Sequence, residues 1–476
     1  MGAGRAAEGL RADWQRQFAA VRRDLGFKYL RFHGLLNDEM GVYREDDDGR
    51  PVYYWQHIDT LFDFLLSIGV RPFVEFGFMP DALKSGDETV FFWRANVTPP
   101  RDHRRWADLI EALVRHWVDR YGFNEVRTWY FEVWNEPNLK DFWTGGFDGY
   151  VELYAATAAA VRKVSPDFRV GGPADAGGQF VEDFLRACGE RGLPLDFVST
   201  HMYGVEGHFD EFGVRGLVMF DNAHIVSDRV GEMRAHIAAS KYPDAELHYT
   251  EWSSSYSQRD PVHDVYQNAA YVLNILKRCE GDAQSMSYWT FTDIFEEGGV
   301  PAGPFHGGFG LLNRDGLRKP TWYAYRFLNL LGPVELENDD DASWATTDPD
   351  TGAAQLLLWD FSFWREAQGN EVNQTWFKQR RPAAARPAAR VRIAGLADGT
   401  YELQLHRTGF GVRDVFTAYD EMGQPLNPTR AQLDALRAAT PDAPTETRRV
   451  RVRGGTFADT VPLHANDVVL LTLNPL

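Results

Sequence analysis

One pattern runs from residue 8 to about residue 332 and restricts the fold more than any other feature. A helix-period segment is followed by a short run of β-branched and aromatic residues and a loop, and the unit repeats. Residues 101–121 show the helical half. Trp106, Leu109, Ile110, Leu113, Val114, Trp117, Val118 and Tyr121 recur at steps of three and four, giving one apolar stripe, and Gly122 is placed to end it. Comparable stripes run at 8–24, 56–68, 148–164, 180–191, 228–240, 264–279 and 321–331. Between them lie FKYLRFHG (27–34), RPFVEFG (71–77), TWYFEVWNEP (128–137), FRVGGPA (168–174), DFVSTHMYG (196–204), ELHYTEWSSS (246–255) and QSMSYWTFTD (284–293). These runs are apolar on both faces, as parallel strands covered by helices are. The alternation predicts an α/β chain built as a (β/α)8 TIM barrel. A doubly wound open sheet is the other arrangement, and the lack of a Gly-rich phosphate loop after any strand counts against it. Eight helices stand against seven strands. The missing strand precedes the first helix, either truncated or squeezed into MGAGRAA, so the visible runs are strands two to eight.

After Gly332 the texture changes. AAQLLLWDFS (353–362), ARVRIAG (389–395), TYELQLHRT (400–408), RRVRVRG (448–454) and NDVVLLTLN (466–474) are short runs separated by DPDTG, ADGT and GG. They predict a C-terminal antiparallel β-sandwich. The expected division is therefore a catalytic barrel at 1–332 and an accessory sandwich at 333–476. AQLDALRAA (431–439) reads as one helix within it, and the basic Pro/Ala-rich stretch 378–390 as a solvated loop.

The net charge of −18 argues against nucleic acid and anionic membrane surfaces as partners. No apolar run approaches the length of a membrane span. The opening MGAGRAAEGLRADWQ holds no signal-peptide core, so a cytoplasmic location is expected. Cys188 and Cys279 are too few for a disulfide framework and read as inert thiols in helices. No metal and no cofactor is expected: no HxxxH or paired His–carboxylate helix motif is present. A GxSxG elbow is also missing, and neither cysteine ends a strand.

A barrel of this kind does its chemistry at the C-terminal ends of its strands. Trp134-Asn135-Glu136-Pro137 ends the fourth strand and Thr250-Glu251-Trp252 lies near the end of the seventh. Two carboxyls facing each other across a barrel mouth suit glycosidic bond cleavage, in which one donates a proton and the other attacks carbon or activates water. Glu75 and Glu132 sit inside their runs and read as supporting groups. Arg31, His33, His201, Tyr203 and Trp289 come from the other strands, and aromatics such as Phe92, Trp143 and Trp252 offer flat faces for sugar C–H surfaces. Aromatic residues make up 14% of the chain, and sugar stacking gives that surplus a use beyond core filling.

The segments RFHGLLNDEMGVYRED, RPFVEFGFMP, NVTPP, FEVWNEPNLKDFW, VGGPA, DFVSTHMYG, HYTEWSSSYS with PVHD, and YWTFTDIFEE followed by FHGGFGL resemble the family-39 glycoside hydrolases, and within them the β-D-xylosidase branch. The resemblance implies a clan-A barrel that works with retention through a covalent glycosyl-enzyme. Glu136 would be the acid/base and Glu251 the nucleophile, kept ionised by hydrogen bonds and by Arg31. Asn135 would bond the sugar 2-hydroxyl. Arg31, His33, Phe92, His201, Tyr203, Tyr256, Trp289, Glu296 and Glu297 would shape the xylose subsite. The implied partner is a xylo-oligosaccharide cut from its non-reducing end, with the oligomeric state open, a homo-oligomer included. The family also contains α-L-iduronidases, and that or an arabinosidase-type specificity is the alternative, as is a carbohydrate-binding protein without turnover.

Overall fold

The computed structural model describes residues 1–476. Eight strands form one sheet: β1 Gly2–Arg5, β2 Tyr29–His33, β3 Arg71–Phe76, β4 Tyr130–Val133, β5 Arg169–Ala176, β6 Phe197–Tyr203, β7 Glu246–Ser253 and β8 Ser285–Tyr288. They lie in chain order and every neighbouring pair is parallel. Phe291 N–H, just past β8, donates to Gly2 O at 3.2 Å and so brings the eighth strand back to the first. The sheet is a nearly closed TIM barrel. The eight helices of the alternation are α1 Ala12–Leu25, α2 Gln56–Ser67, α3 His103–Tyr121, α4 Gly146–Val164, α5 Val181–Arg191, α6 Ile225–Ala239, α7 Gln267–Arg278 and α8 Pro320–Leu328.

The strand missing from the sequence pattern is β1. Its register sets Gly2 beside Arg31, Ala3 beside Phe32 and Arg5 beside His33. A side chain at Gly2 would put its Cβ 2.3 Å from the Trp289 ring, and one at Gly4 would meet Glu8 at 2.7 Å and Phe295 at 3.0 Å. The strand opens Gly-Ala-Gly because its neighbours occupy the space beside Gly2 and Gly4.

Helix α3 shows how the stripe becomes structure. Asp102 caps it, its carboxylate accepting Arg104 N–H, and Gly122 ends it at φ 85°. Trp106, Leu109, Ile110, Leu113, Val114 and Trp117 are buried, and Trp117 stacks on Phe62 of α2 at 5.1 Å. Burying each such side chain stabilises the fold by about 1.5–3 kcal/mol before chain entropy is counted. No helix is long and apolar enough to cross a membrane.

The chain forms two compact units. The first comprises Met1–Tyr203, Ile225–Ser253 and Cys279–Pro301, and so holds all eight barrel strands and helices α1–α6. The second comprises Gly204–His224, Ser254–Arg278 and Ala302–Leu476. In it α7 and α8 are joined by a hydrogen bond from Asn268 Nδ2 to Thr321 Oγ1. Its largest sheet is antiparallel, with six strands: β9 Val334–Glu335, β10 Ser343–Asp348, β11 Ala353–Trp359, β13 Gly399–Thr408, β14 Glu446–Val452 and β16 Val468–Pro475. A two-stranded sheet, β12 Ala385–Ala394 with β15 Thr456–His464, shares its core: Val391, Ile393, Phe457 and Val461 pack with Leu356, Leu403, Val469 and Leu471. This is the sandwich that the C-terminal texture predicts.

Two local expectations need correction. The stretch 378–390 is a loop only in its first part, because β12 begins at Ala385. Pro387 is accommodated by an irregularity in the register between Arg386 and Ala389, where a residue without an N–H costs no ladder bond. The fourth run also stops early, at Val133. Trp134 and Glu136 take positive φ values of 71° and 45°, which end the strand and turn the segment bearing Glu136 into a loop.

Candidate active site

The strand ends of the first unit converge on Glu251. Arg31, on β2, donates from Nη1 to Glu251 Oε1 at 2.5 Å, from Nε to Glu132 Oε2 at 2.7 Å and from Nη2 to Asn135 Oδ1 at 2.9 Å. Glu75 Oε2 lies 2.9 Å from the same Nη2. His33, two residues on, places Nδ1 2.7 Å from Glu75 Oε2 and Nε2 3.3 Å from Glu251 Oε1. Tyr203, ending β6, donates its hydroxyl to the other Glu251 oxygen at 2.6 Å.

Glu136 stands on the loop after β4. Its backbone N–H donates to Ala174 O at 2.8 Å, beyond the cis Gly172–Pro173 bond of β5. Its Oε1 lies 2.9 Å from His201 Nδ1, and His201 Nδ1 is 3.7 Å from Glu251 Oε2. One oxygen of Glu136, one of Glu251 and one His201 nitrogen all lie within 4.8 Å of one another. The two carboxyls therefore face each other, with an oxygen of one within 4.8 Å of an oxygen of the other.

The charges are divided sharply. Burial alone would push the Glu251 carboxyl up, but the hydrogen bond and charge of His33 and the charge of Arg31 beside it hold it far below the usual carboxylate range. Burial works against a charged His33, yet Glu75 and Glu251 raise it to about 10. Glu297, after β8, goes the other way. Burial, with Glu251, Glu136 and Glu75 adding repulsion, raises it to about 8 although His33 attracts it. Its Oε1 lies 3.7 Å from His33 Nε2.

The sequence model described as Glycosyl hydrolases family 39 matches residues 1–456. The chain belongs to glycosyl hydrolase family 39. A β-xylosidase of Geobacillus stearothermophilus is 38% identical over 483 residues, covering 99% of this chain and 91% of that one. The crystal structure of the GH39 enzyme from Xanthomonas axonopodis pv. citri superposes with a TM-score of 0.96 at 43% identity, covering 100% of this chain and 93% of the other. A structure of a monomeric β-xylosidase from Caulobacter crescentus CB15 also reaches 0.96, at 42% identity, with 100% and 95% covered. Family 39 is a family of retaining glycosidases, and this member is a glycoside hydrolase.

The family-39 fold brings together most of the residues singled out in the sequence. Glu136, Glu251, Arg31, His33, Asn135, His201 and Tyr203 form one hydrogen-bonded cluster. Trp289 closes one side, its ring 4.8 Å from that of His33 and 5.8 Å from the Arg31 guanidinium. Phe92 is 67% exposed, and its N–H donates to Glu297 O at 2.7 Å, so its ring stands at the rim. Phe91, one of the loop aromatics beside Phe92, stacks on His33 at 5.9 Å.

Glu296 and Glu297 part ways. Glu296 gives both oxygens to arginines, Arg5 Nη2 at 2.9 Å and Arg11 Nη1 at 2.7 Å, and its backbone N–H donates to the buried Glu8 at 2.9 Å. It braces the loop, and only Glu297 faces the cluster. Tyr256 belongs to the second unit and is half exposed. Trp143 and Trp252, read as sugar-facing surfaces, are buried; Trp252 sits edge-on to Tyr288. Thr250 is the residue that sequence reasoning passed over. It adjoins the nucleophile candidate, and its hydroxyl donates to Glu132 Oε1 at 2.7 Å.

Proposed function

We propose that this chain is an exo-acting, retaining β-D-xylosidase that releases xylose from the non-reducing ends of xylo-oligosaccharides. The observation that carries the reading is the facing pair itself, Glu136 and Glu251 with oxygens inside 4.8 Å and Glu251 held ionised by Arg31 and Tyr203. Glu251 is the nucleophile. Its charge is stabilised by donors that do not move, so it attacks the anomeric carbon without first shedding a water shell. Glu136 is the acid/base: it protonates the departing oxygen, then takes a proton from the water that cleaves the glycosyl-enzyme. Arg31 also fixes Asn135, whose amide is left to meet the sugar 2-hydroxyl, and Trp289, Phe92 and Glu297 shape the subsite. Xylose as the sugar rests on the names of the Geobacillus and Caulobacter relatives. The same reading takes residues 1–332 as the catalytic part and 333–476 as an accessory sandwich.

The test is a panel of aryl glycosides, β-D-xyloside with α-L-arabinoside and α-L-iduronide, on the wild type, Glu136→Ala and Glu251→Ala. Hydrolysis of the xyloside is expected to dominate. Glu251→Ala should lose nearly all activity and Glu136→Ala about 10²–10⁴-fold on a poor leaving group, the usual share of a general acid. Azide should accelerate Glu136→Ala on an activated xyloside and give the β-xylosyl azide. Near-wild-type rates in either variant would sink the role assignment, and an α-azide would sink retention.

A further inference from the structure

The reading of Glu136 as general acid leaves open what keeps a proton on a carboxyl so close to Glu251. The buried groups behind it answer that. A hydroxyl has one proton to give, and that of Thr250 goes to Glu132 Oε1 at 2.7 Å. Glu132 is ion-paired with Arg31 through its other oxygen at 2.7 Å, so it serves as an acceptor. Thr250 Oγ1 therefore turns a lone pair toward His201 Nε2, 3.2 Å away, and Nε2 must be the ring nitrogen that carries hydrogen. In the neutral ring Nδ1 is then an acceptor, and it lies 2.9 Å from Glu136 Oε1. All four side chains are buried or nearly so, and bulk water does not compete for these bonds.

We infer that Thr250 and Glu132 are positioning residues for acid catalysis: by holding hydrogen on His201 Nε2 they make Nδ1 an acceptor for the Glu136 carboxyl and favour its proton-bearing form. This rests on the general-acid role of Glu136 and adds the device that sets its protonation. As the glycosidic C–O bond breaks, the Glu136 proton moves to the departing oxygen and a Glu251 oxygen forms the new bond to the anomeric carbon. Glu136 is left as a carboxylate, ready to take a proton from water. The other titratable groups facing the Glu136–His201 pair are Glu251 on β7, Tyr203 on β6, Asp175 on β5 and Glu297 after β8. Each remains in a Thr250 variant, so a change in the pH profile reports on the relay.

The experiment compares wild type, Thr250→Val and Thr250→Ser on xylobiose and on dinitrophenyl β-D-xyloside, whose leaving group needs no proton. Valine keeps the shape and removes the hydroxyl. His201 is then free to carry hydrogen on Nδ1, which donates to a Glu136 carboxylate and favours the wrong protonation state. Thr250→Val should lower kcat/KM on xylobiose by about 10–100-fold, part of the general-acid share, while changing it less than about threefold on the dinitrophenyl substrate. The alkaline limb of its pH profile should move to lower pH, and Thr250→Ser should restore both. Equal losses on the two substrates, or an unmoved alkaline limb, would overturn the inference. Glu136→Ala measured alongside keeps the two readings apart: if it shows no leaving-group dependence, the general-acid assignment fails; if it does and Thr250→Val does not, only the relay fails. Should the panel show another glycoside to be the better substrate, the same comparison is made on its disaccharide and dinitrophenyl forms.

Discussion

Two carboxyls approach the same ring nitrogen of His33, Nε2, and end in opposite states. Glu251 has an arginine and a tyrosine hydroxyl as well as the histidine, and it stays ionised. Glu297 is buried among acids with only His33 to offset them, and it is raised to about 8. A carboxyl raised in this way favours folding while it is neutral. That contribution is whole below its unfolded value of 4.5 and is lost as pH rises through 8. Glu297→Gln is neutral at every pH. It should match wild type in urea denaturation at pH 4.5 and exceed it at pH 9 by about 1–3 kcal/mol, the range for burying an uncompensated polar group. If the stability gap does not open between these two pH values, Glu297 is not held neutral by burial. Its neighbour shows the limit of reading residues from sequence. Glu296 and Glu297 are indistinguishable in the string EE, and what separates them is the position of Arg5 and Arg11, nearly three hundred residues upstream.

At the scale of elements, legibility followed side-chain size. The helices announce themselves because their apolar stripes repeat over several turns, and α3 keeps its stripe through Trp117. Strands β2 to β8 are visible because burial on both faces fills them with aromatic and β-branched residues. Strand β1 carries no such residue, since the ring of Trp289 and the side chains of Glu8 and Phe295 fill the space above Gly2 and Gly4. Its absence from the pattern is a packing consequence, and it also ties the first strand to Trp289, which packs against His33 and Arg31. A methyl group at Gly2 must displace Trp289 or the backbone at Tyr288. Gly2→Ala should therefore cost about 1–3 kcal/mol, as overpacking does, and raise KM for an aryl xyloside more than it lowers kcat. An unchanged KM with lowered stability would mean that Trp289 does not contact the sugar. The start of the strand at 385–394, before the run read from Ala389, was hidden for a different reason. Its alternation, Val391 and Ile393 inward with arginines outward, starts only after a Pro/Ala-rich edge that reads as loop.

The whole molecule has a net charge of −18 and holds a compact set of opposite charges in its interior. Salt and pH separate the two. His33 is raised from 6.5 to about 10, so the stability it lends is complete below pH 6.5 and is lost as pH rises through 10. Glu251 is depressed, so its share is complete above 4.5 and is lost as pH falls toward its folded value. Between about pH 4.5 and 6.5 both contributions are whole. His33→Gln removes one of them and leaves Glu75 and Glu251 without a buried cation on that side. It should be less stable than wild type by about 3–5 kcal/mol at pH 6, the cost of breaking a buried pair, and the gap should narrow steadily towards pH 10.5. Raising salt from about 10 to about 150 mM shortens the screening length to roughly 8 Å. It should raise the urea midpoints of wild type and variant together, because it screens repulsion among the exposed acidic groups of a net-negative chain. The gap between the two should stay nearly constant in salt, since the pair that makes it is shielded from solvent ions. A gap that closes with added salt and is flat in pH would place the stabilising charge of His33 at the surface, contrary to its burial beneath Trp289.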